Sequence, residues 1–373
     1  MAGKQKMMKG CIAFILLLSL LFQAGCAFKD IDKRVFVLGF GIDPSEKMRN
    51  GFRVTLKLAK QVGDIKQSTS PPYLYISHDA ESVAEAIHEM ETRVDKVLDF
   101  GHSKIIVIHK ELLTKDLDTF MDFFTRRGDI QMISYVAVAD KTAEEIISFE
   151  PTTEAPASIA LYNYFDNTGT ESPFVVTTFL FEFRREVLGE GLDTIMPIIG
   201  TDEENHDFVI DKSIILKRGA PPVELTPEET KYFNSLMNKA YGFSYKIKED
   251  DLIMILNFDE IRMNYKILLN DGDPRIDMKI TKVGVVGESN KRLNSKKLEK
   301  YNKIAGKEIG KTVTDLLIKL QENNVDPFGF GLRYRATRLS RKGLDKEWEK
   351  RIYPDIKFNV KVNIELKSTG AVE

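Results

Sequence analysis

Lys297–Gln321, KLEKYNKIAGKEIGKTVTDLLIKLQ, is the longest helical pattern in the chain. Tyr301, Ile304, Ile309, Val313, Leu316, Leu317 and Leu320 recur at helical spacing on one stripe, which predicts an amphipathic helix laid across an apolar surface. The flanking sequence supplies that surface. Upstream, Asp251–Phe258 and Ile261–Leu269 predict two strands paired through Asp259 and Glu260, with Arg275–Val286 as a third. Downstream, Phe358, Val360, Val362, Ile364 and Leu366 alternate with polar residues and predict a last strand returning to the same sheet. A long helix over a small antiparallel sheet is an α+β sandwich. Leu225–Met237 adds a helix with Thr226 at its cap and Pro227 at its first position, and Phe208–Leu216 adds a strand or strand pair.

The first half has a different texture. Val35–Asp43 is a nearly continuous apolar run and reads as a buried strand, and Phe52–Leu58 alternates and forms a hairpin with it through Glu46–Gly51. Tyr73–Ile76 predicts a strand, Asp79 the cap of a helix carrying Val83, Ile87, Met90, Val94 and Val97, and Lys104–His109 a buried strand. Leu112–Arg126 predicts a helix, Ile133–Ala139 a strand and Thr142–Phe149 a helix. Glu150–Pro173 is linker-like, and Pro197 makes Leu192–Ile199 an edge strand at best. A boundary is expected near Gly200, before the acidic break Thr201–Asp207. The chain therefore reads as mixed α/β of the α+β class, with several small sheets each packed with helices in two to three domains. The N-terminal α/β region spans 27–200, with one or two subdomains, and the C-terminal α+β domain spans 201–373.

Ahead of these lie Lys4, Lys6 and Lys9, the apolar run Gly10–Phe22 and the small residues Ala24-Gly25 before Cys26, the grammar of a secretory leader over residues 1–25. The run falls short of the roughly 18 to 20 residues that cross hydrocarbon. Of the two cysteines, Cys11 leaves with the leader, so Cys26 has no disulfide partner in the exported chain. A lone thiol after Ala-Gly is the substrate for diacylglyceryl transfer, and residues 26–34 then serve as a lipid tether. Gln23 stands where an aliphatic residue is usual; an uncleaved anchor and a plainly secreted protein are the alternatives. A net charge of −2, from 54 Lys and Arg against 56 Asp and Glu, offers no excess of cations for nucleic acid.

Local motifs for chemistry are weak. His102 and His109 flank one strand, too far apart to share a metal, and Ser77-His78-Asp79 reads as a helix-entry turn because neighbours along a chain point apart. Gly39-Phe40-Gly41 lacks the third glycine and the helix of a dinucleotide loop. Phe328-Gly329-Phe330-Gly331 reads as a helix stop with phenylalanines packing back. Arg333, Arg335, Arg338, Arg341 and Lys342, answered by Asp345, Glu347 and Glu349, read as a solvated face or else a docking patch for anionic headgroups or a subunit loop. No catalytic, cofactor-binding or metal residue is nominated, and Cys26 is the one site residue, for lipid attachment.

Three patterns in order carry a resemblance: the cysteine followed by a strand ending Gly41-Ile42-Asp43; Gly101-His102-Ser103-Lys104 with Phe123-Phe124-Thr125-Arg126-Arg127-Gly128-Asp129; and Asn324-Val325-Asp326-Pro327-Phe328-Gly329-Phe330-Gly331 with Trp348 and Tyr353-Pro354. Together they resemble the Ger(x)C family of spore germination lipoproteins, the GerAC-like C components of germinant receptors. The resemblance implies a non-enzymatic subunit of several small mixed domains, lipid-anchored on the outer face of the spore inner membrane beside integral-membrane A and B subunits, without cofactor. The rival reading is a lipoprotein that captures a small nutrient between its halves, although no matched pair of parallel-sheet lobes is visible; an envelope enzyme is a third.

Overall fold

A computed structural model describes residues 31–59, 73–114, 117–151, 157–165, 172–237, 242–269, 273–339 and 343–369, with Gly3 and Met7. Cys26 and its leader lie outside these residues. The elements below belong to the compact unit Val35–Glu373, apart from the first residue of β1.

In chain order, the first part contains β1 (Arg34–Pro44), β2 (Phe52–Ala59), β3 (Tyr73–Ala80), α1 (Val83–Glu91), β4 (Val97–Asp99), β5 (Ile105–His109), α2 (Leu117–Arg126), β6 (Tyr135–Ala139), α3 (Ala143–Ser148), α4 (Ala157–Phe165), α5 (Leu180–Leu188), β7 (Thr194–Asp202), β8 (Asp207–Leu216) and β9 (Val223–Leu225). The strands form one sheet in the order β3-β2-β1-β5-β6-β7-β8-β9, with β4 also paired to β1. Its centre, β1-β5-β6-β7, is parallel and its two ends are antiparallel. Both faces are covered: Met90, Met121, Phe124 and Phe183 of α1, α2 and α5 pack with Phe40 and Ile42, and Ile146, Ile147 and Phe165 of α3 and α4 pack with Val107 and Ala137. Burial on both sides is why β1, β5 and β6 read as unbroken apolar runs.

Several expectations are corrected here. β7 is an interior strand: its parallel ladder to β6 takes up at Ile198, just past Pro197, whose missing N–H falls outside that ladder. Gly200 lies inside β7, and the hairpin onto β8 carries the sheet across that position. Asp79 lies within β3 and caps nothing; Ser82 caps α1 by accepting from the Glu85 N–H at 3.2 Å. Ser77-His78-Asp79 is therefore strand, not turn. The helix expected over 112–126 is α2 preceded by a short 3-10 turn, Lys110–Thr114.

The second part contains α6 (Pro227–Leu236), β10 (Phe243–Glu249), β11 (Leu252–Leu268), β12 (Arg275–Ser289), α7 (Leu298–Glu322), α8 (Phe330–Ala336), α9 (Leu344–Glu347) and β13 (Lys357–Leu366). Thr226 caps α6 and Pro227 opens it, as the sequence predicts, and Glu229 completes a capping box with Thr226. The sheet order is β10-β11-β12-β13. β11 is one strand of 17 residues, not two joined at Asp259-Glu260. The register slips there, from Phe258↔Gly284 to Glu260↔Val283, so Asp259 is a bulge. The bulge moves the core-facing set from the buried Met254, Leu256 and Phe258 to the half-buried Ile261, Met263, Tyr265 and Ile267, a change of parity that mimics a turn. β13 joins parallel to β12, not antiparallel, after the α7 crossover. The α7 stripe is buried as its spacing predicts. One core cluster holds the second sheet, α6 and α7 together with Ile195, Ile215, Val223 and Leu225 of the first.

Candidate functional site

Each of the three local patterns quoted above fastens two distant segments. Asp43, at the end of β1, accepts from the Ala143 N–H at 2.6 Å and the Glu144 N–H at 2.8 Å, so both carboxylate oxygens cap α3. Burial pushes its carboxyl above the ordinary aspartate range, and the two N–H donors oppose that shift. Gly39 and Gly41 face α3 closely: a Cβ on Gly41 would stand 2.9 Å from the Ala143 carbonyl oxygen. The two glycines thus serve close packing of a helix on a strand.

Beside this cap the Arg53 guanidinium clamps Glu144 with two bonds, 2.6 and 2.8 Å, and reaches Asp79 at 2.9 Å. Ser77 donates to Glu144 at 2.9 Å and Ser45 to Asp79 at 2.8 Å. Arg53 is the main cause of a lowered Glu144 pKa. Sequence reading missed this network, because its members are scattered over β1 to β3 and α3. Ser77 and Asp79 share one face of β3, and the carboxylate nearest Ser77 belongs to α3.

In the second pattern, Arg127 lies 4.3 Å from the Phe100 ring centroid and binds Asp129 through two bonds of 2.9 and 2.7 Å. His102 packs on Phe36, with ring centroids 4.3 Å apart, and the Nδ1 of His109 accepts from the Glu111 N–H. Among the described residues, no three His, Cys, Asp or Glu side chains come together as a metal set.

The third pattern is a seam. Asp326 is buried and accepts from the Phe330 N–H at 3.1 Å and the Gly331 N–H at 2.7 Å, while its own N–H donates to the Asp193 carboxylate at 2.7 Å. Burial pushes Asp326 up to about 7 and Asp193 up to about 6, against the pull of backbone N–H donors. The Leu332 N–H donates to the Gly191 carbonyl at 2.7 Å, and a Cβ on Gly331 would stand 2.8 Å from Trp348. Trp348 stacks on Tyr353, whose hydroxyl donates to the Val325 carbonyl at 2.7 Å. The helix stop comes earlier than the glycines: Asn324 takes the left-handed conformation (φ 53°) that ends α7, and Gly329 (φ 70°) precedes α8. Phe328 packs against Phe233 of α6 and Phe330 against Tyr265 of β11, in the core cluster that also holds the α7 stripe, rather than simply back on the helix they follow.

Of the basic cluster, Arg335 pairs with Asp345 at 3.1 Å, Arg338 lies 3.9 Å from the Tyr334 ring and Arg333 5.4 Å from that of Tyr265; Arg341 and Lys342 lie outside the described residues. A groove of about 170 Å³ runs between Met121 of α2 and Phe183 of α5, below the roughly 300–1,000 Å³ of small-molecule sites. The chemistry these arrangements support is fastening and surface contact.

Comparison with known proteins places the chain among germination proteins. Residues 28–201 match the family described as "Spore germination protein N-terminal domain", and residues 223–370 match "Spore germination B3/ GerAC like, C-terminal". Spore germination protein GerQC of Bacillus cereus is 22% identical over 98% of this chain and 100% of its own length. Spore germination protein KC of Bacillus subtilis (strain 168) is 22% identical over 98% and 97%. Among solved structures, the GerBC protein superposes with a TM-score of 0.57 at 15% identity, covering 88% of this chain and 97% of that one, a likeness of fold.

Proposed function

The chain belongs to the GerAC-like family of spore germination proteins, and from that premise we propose that it is the non-enzymatic C subunit of a nutrient germinant receptor. It is held on the outer face of the spore inner membrane by a diacylated Cys26 and assembles with integral-membrane A and B subunits. The observation that carries this reading is the pair of family matches, 28–201 and 223–370, in order and spanning nearly all of the chain after the cysteine. The physical mechanism is effective concentration: confinement at the membrane surface brings a modest interface with the partner subunits close to saturation.

Two measurements test it. Mass spectrometry of the N-terminal peptide from native membranes is expected to find Cys26 at the N-terminus carrying lipid, and co-purification from detergent-solubilised spore membranes is expected to bring down two multi-spanning subunits. Cys26→Ala is expected to leave the body folded, release it from the membrane and impair germination. Full membrane retention of that variant would refute the anchor, and recovery of the chain without integral-membrane partners would refute the assembly.

A further inference from the structure

The second sheet has two unlike faces. Toward α7 its rows are apolar, Met263–Ile280–Val362, Tyr265–Met278–Val360 and Ile267–Ile276–Phe358. On the opposite face the register lines up Arg262–Thr281–Asn363, Asn264–Lys279–Lys361, Lys266–Asp277–Asn359 and Leu268–Arg275–Lys357. All twelve of these side chains are exposed or half-buried.

The acids on this face stand at its two ends: beyond Arg262 the register continues into Glu260–Val283–Glu365, and at the other end the acids are engaged. Asp277 pairs with Arg275 at 3.3 Å and accepts from Asn359 at 2.9 Å, and Lys357 pairs with Asp273 at 2.7 Å. Lys266, Lys279 and Lys361 make no ion pair among the described residues. With strands about 4.8 Å apart and same-face residues about 6.8 Å apart, these three lysines and Arg262 occupy a plane of roughly 14 by 10 Å. The first three rows contain no apolar side chain. In a chain of net charge −2, this is a cationic plane on an otherwise balanced molecule.

We propose that this open face docks on an anionic phospholipid surface, a contact that goes beyond the subunit role above and does not rest on it. Charge complementarity carries the choice of occupant. Protein interfaces are depleted in lysine and anchored by aromatic, Met or Arg side chains in desolvated pockets; these rows are led by lysine, carry no aromatic or Met side chain, and set Arg262 and Arg275 on a flat strand surface. Lysines interleaved with Asn and Thr on a flat lattice suit a plane of phosphate headgroups, where each cation contributes separately. Arg333 and Arg335 of α8 and Arg338 beyond it are unsuited, being held by Asp345 and by aromatic rings.

The test is flotation of the full chain with vesicles of phosphatidylcholine alone or with about 30% phosphatidylglycerol, a composition that sets a negative surface potential. An acyl chain contributes in both lipids, and Lys4, Lys6 and Lys9 of a retained leader add the same anionic preference to every variant, so the readout is the change in that preference between variants. The preference is expected to be lost in roughly 0.5 M salt. Lys266→Gln/Lys279→Gln/Lys361→Gln is expected to lower it roughly 100-fold, three charges at about 1 kcal/mol each, and Lys279→Gln alone about 5-fold. The triple Lys300→Gln/Lys307→Gln/Lys311→Gln, on exposed positions of α7, is expected to keep it. Absence of a preference in the unaltered chain, an undiminished one in Lys279→Gln, or an equal loss in the α7 triple would each overturn the proposal.

Discussion

Lys282 stands on the core face of β12, in register with Ile261 and Ile364, where every other row is apolar. Its amine lies 3.8 Å from the ring centroid of Tyr245 and 5.6 Å from that of Phe258, with no hydrogen-bond partner among the described residues. Burial, followed by repulsion from Lys231, holds its pKa well below the ordinary lysine value. Lys231 itself faces Glu228 at 2.7 Å, and among the described residues no carboxylate pairs with Lys282. Lys282→Met, similar in volume and without the polar head, is expected to stabilise the fold by about 1–3 kcal/mol at neutral pH in chemical denaturation. The sign with pH follows from a depressed folded-state pKa: between it and the ordinary value near 10.4, the unfolded chain binds the extra proton, so stability rises with pH. The variant is expected to lack that rise, and an unchanged pH profile would count against a buried, neutral amine. Parity was the available signal, since Lys282 falls in phase with Ile276, Met278 and Ile280, and one charged residue in such a series is easily passed over.

At the scale of elements, α3 sits so close to β1 that only glycine fits between them. Gly41→Ala would bring a methyl to 2.9 Å from the Ala143 carbonyl oxygen and 3.2 Å from Ile147, a clash with backbone that side-chain rotation cannot relieve. The expected cost is about 1–3 kcal/mol in thermal or denaturant unfolding. Gly128→Ala is the contrast: nothing lies within 4 Å of the added carbon and its φ is not positive, so a gain of about 0.4–1 kcal/mol is expected from a stiffer unfolded chain. Equal effects from the two substitutions would sink the packing account of the Gly39 and Gly41 pair. Elements with a complete local signal were legible: α6 from Thr226 and Pro227, α7 from its stripe, β13 from its alternation. The bulge at Asp259 was not, because an acidic pair between two apolar runs reads equally as a turn, and only the partner strand distinguishes them.

For the whole molecule, the shared core has a thermodynamic consequence. Ile195, Ile215, Val223 and Leu225 of the first sheet are buried in one cluster with the second sheet and α7, and the Asp193–Asp326 seam ties the same regions through backbone bonds. Scanning calorimetry of the full chain is expected to show one cooperative transition for this body, with calorimetric and van't Hoff enthalpies in agreement. Two separated transitions would show that the sheets unfold independently. Periodicity and capping residues were enough to read the α+β class and most of the elements, and the three ordered motifs carried the resemblance to the family. Those signals are local, since side-chain spacing along the chain reports which residues are buried whatever they are buried against. Folding alone settled which strands pair. It carried the first sheet across Gly200, set β13 parallel to β12, enclosed Lys282 and left the lysine rows of the second sheet open, because each depends on contacts between residues far apart in the chain, whose free energy is absent from any short window of sequence.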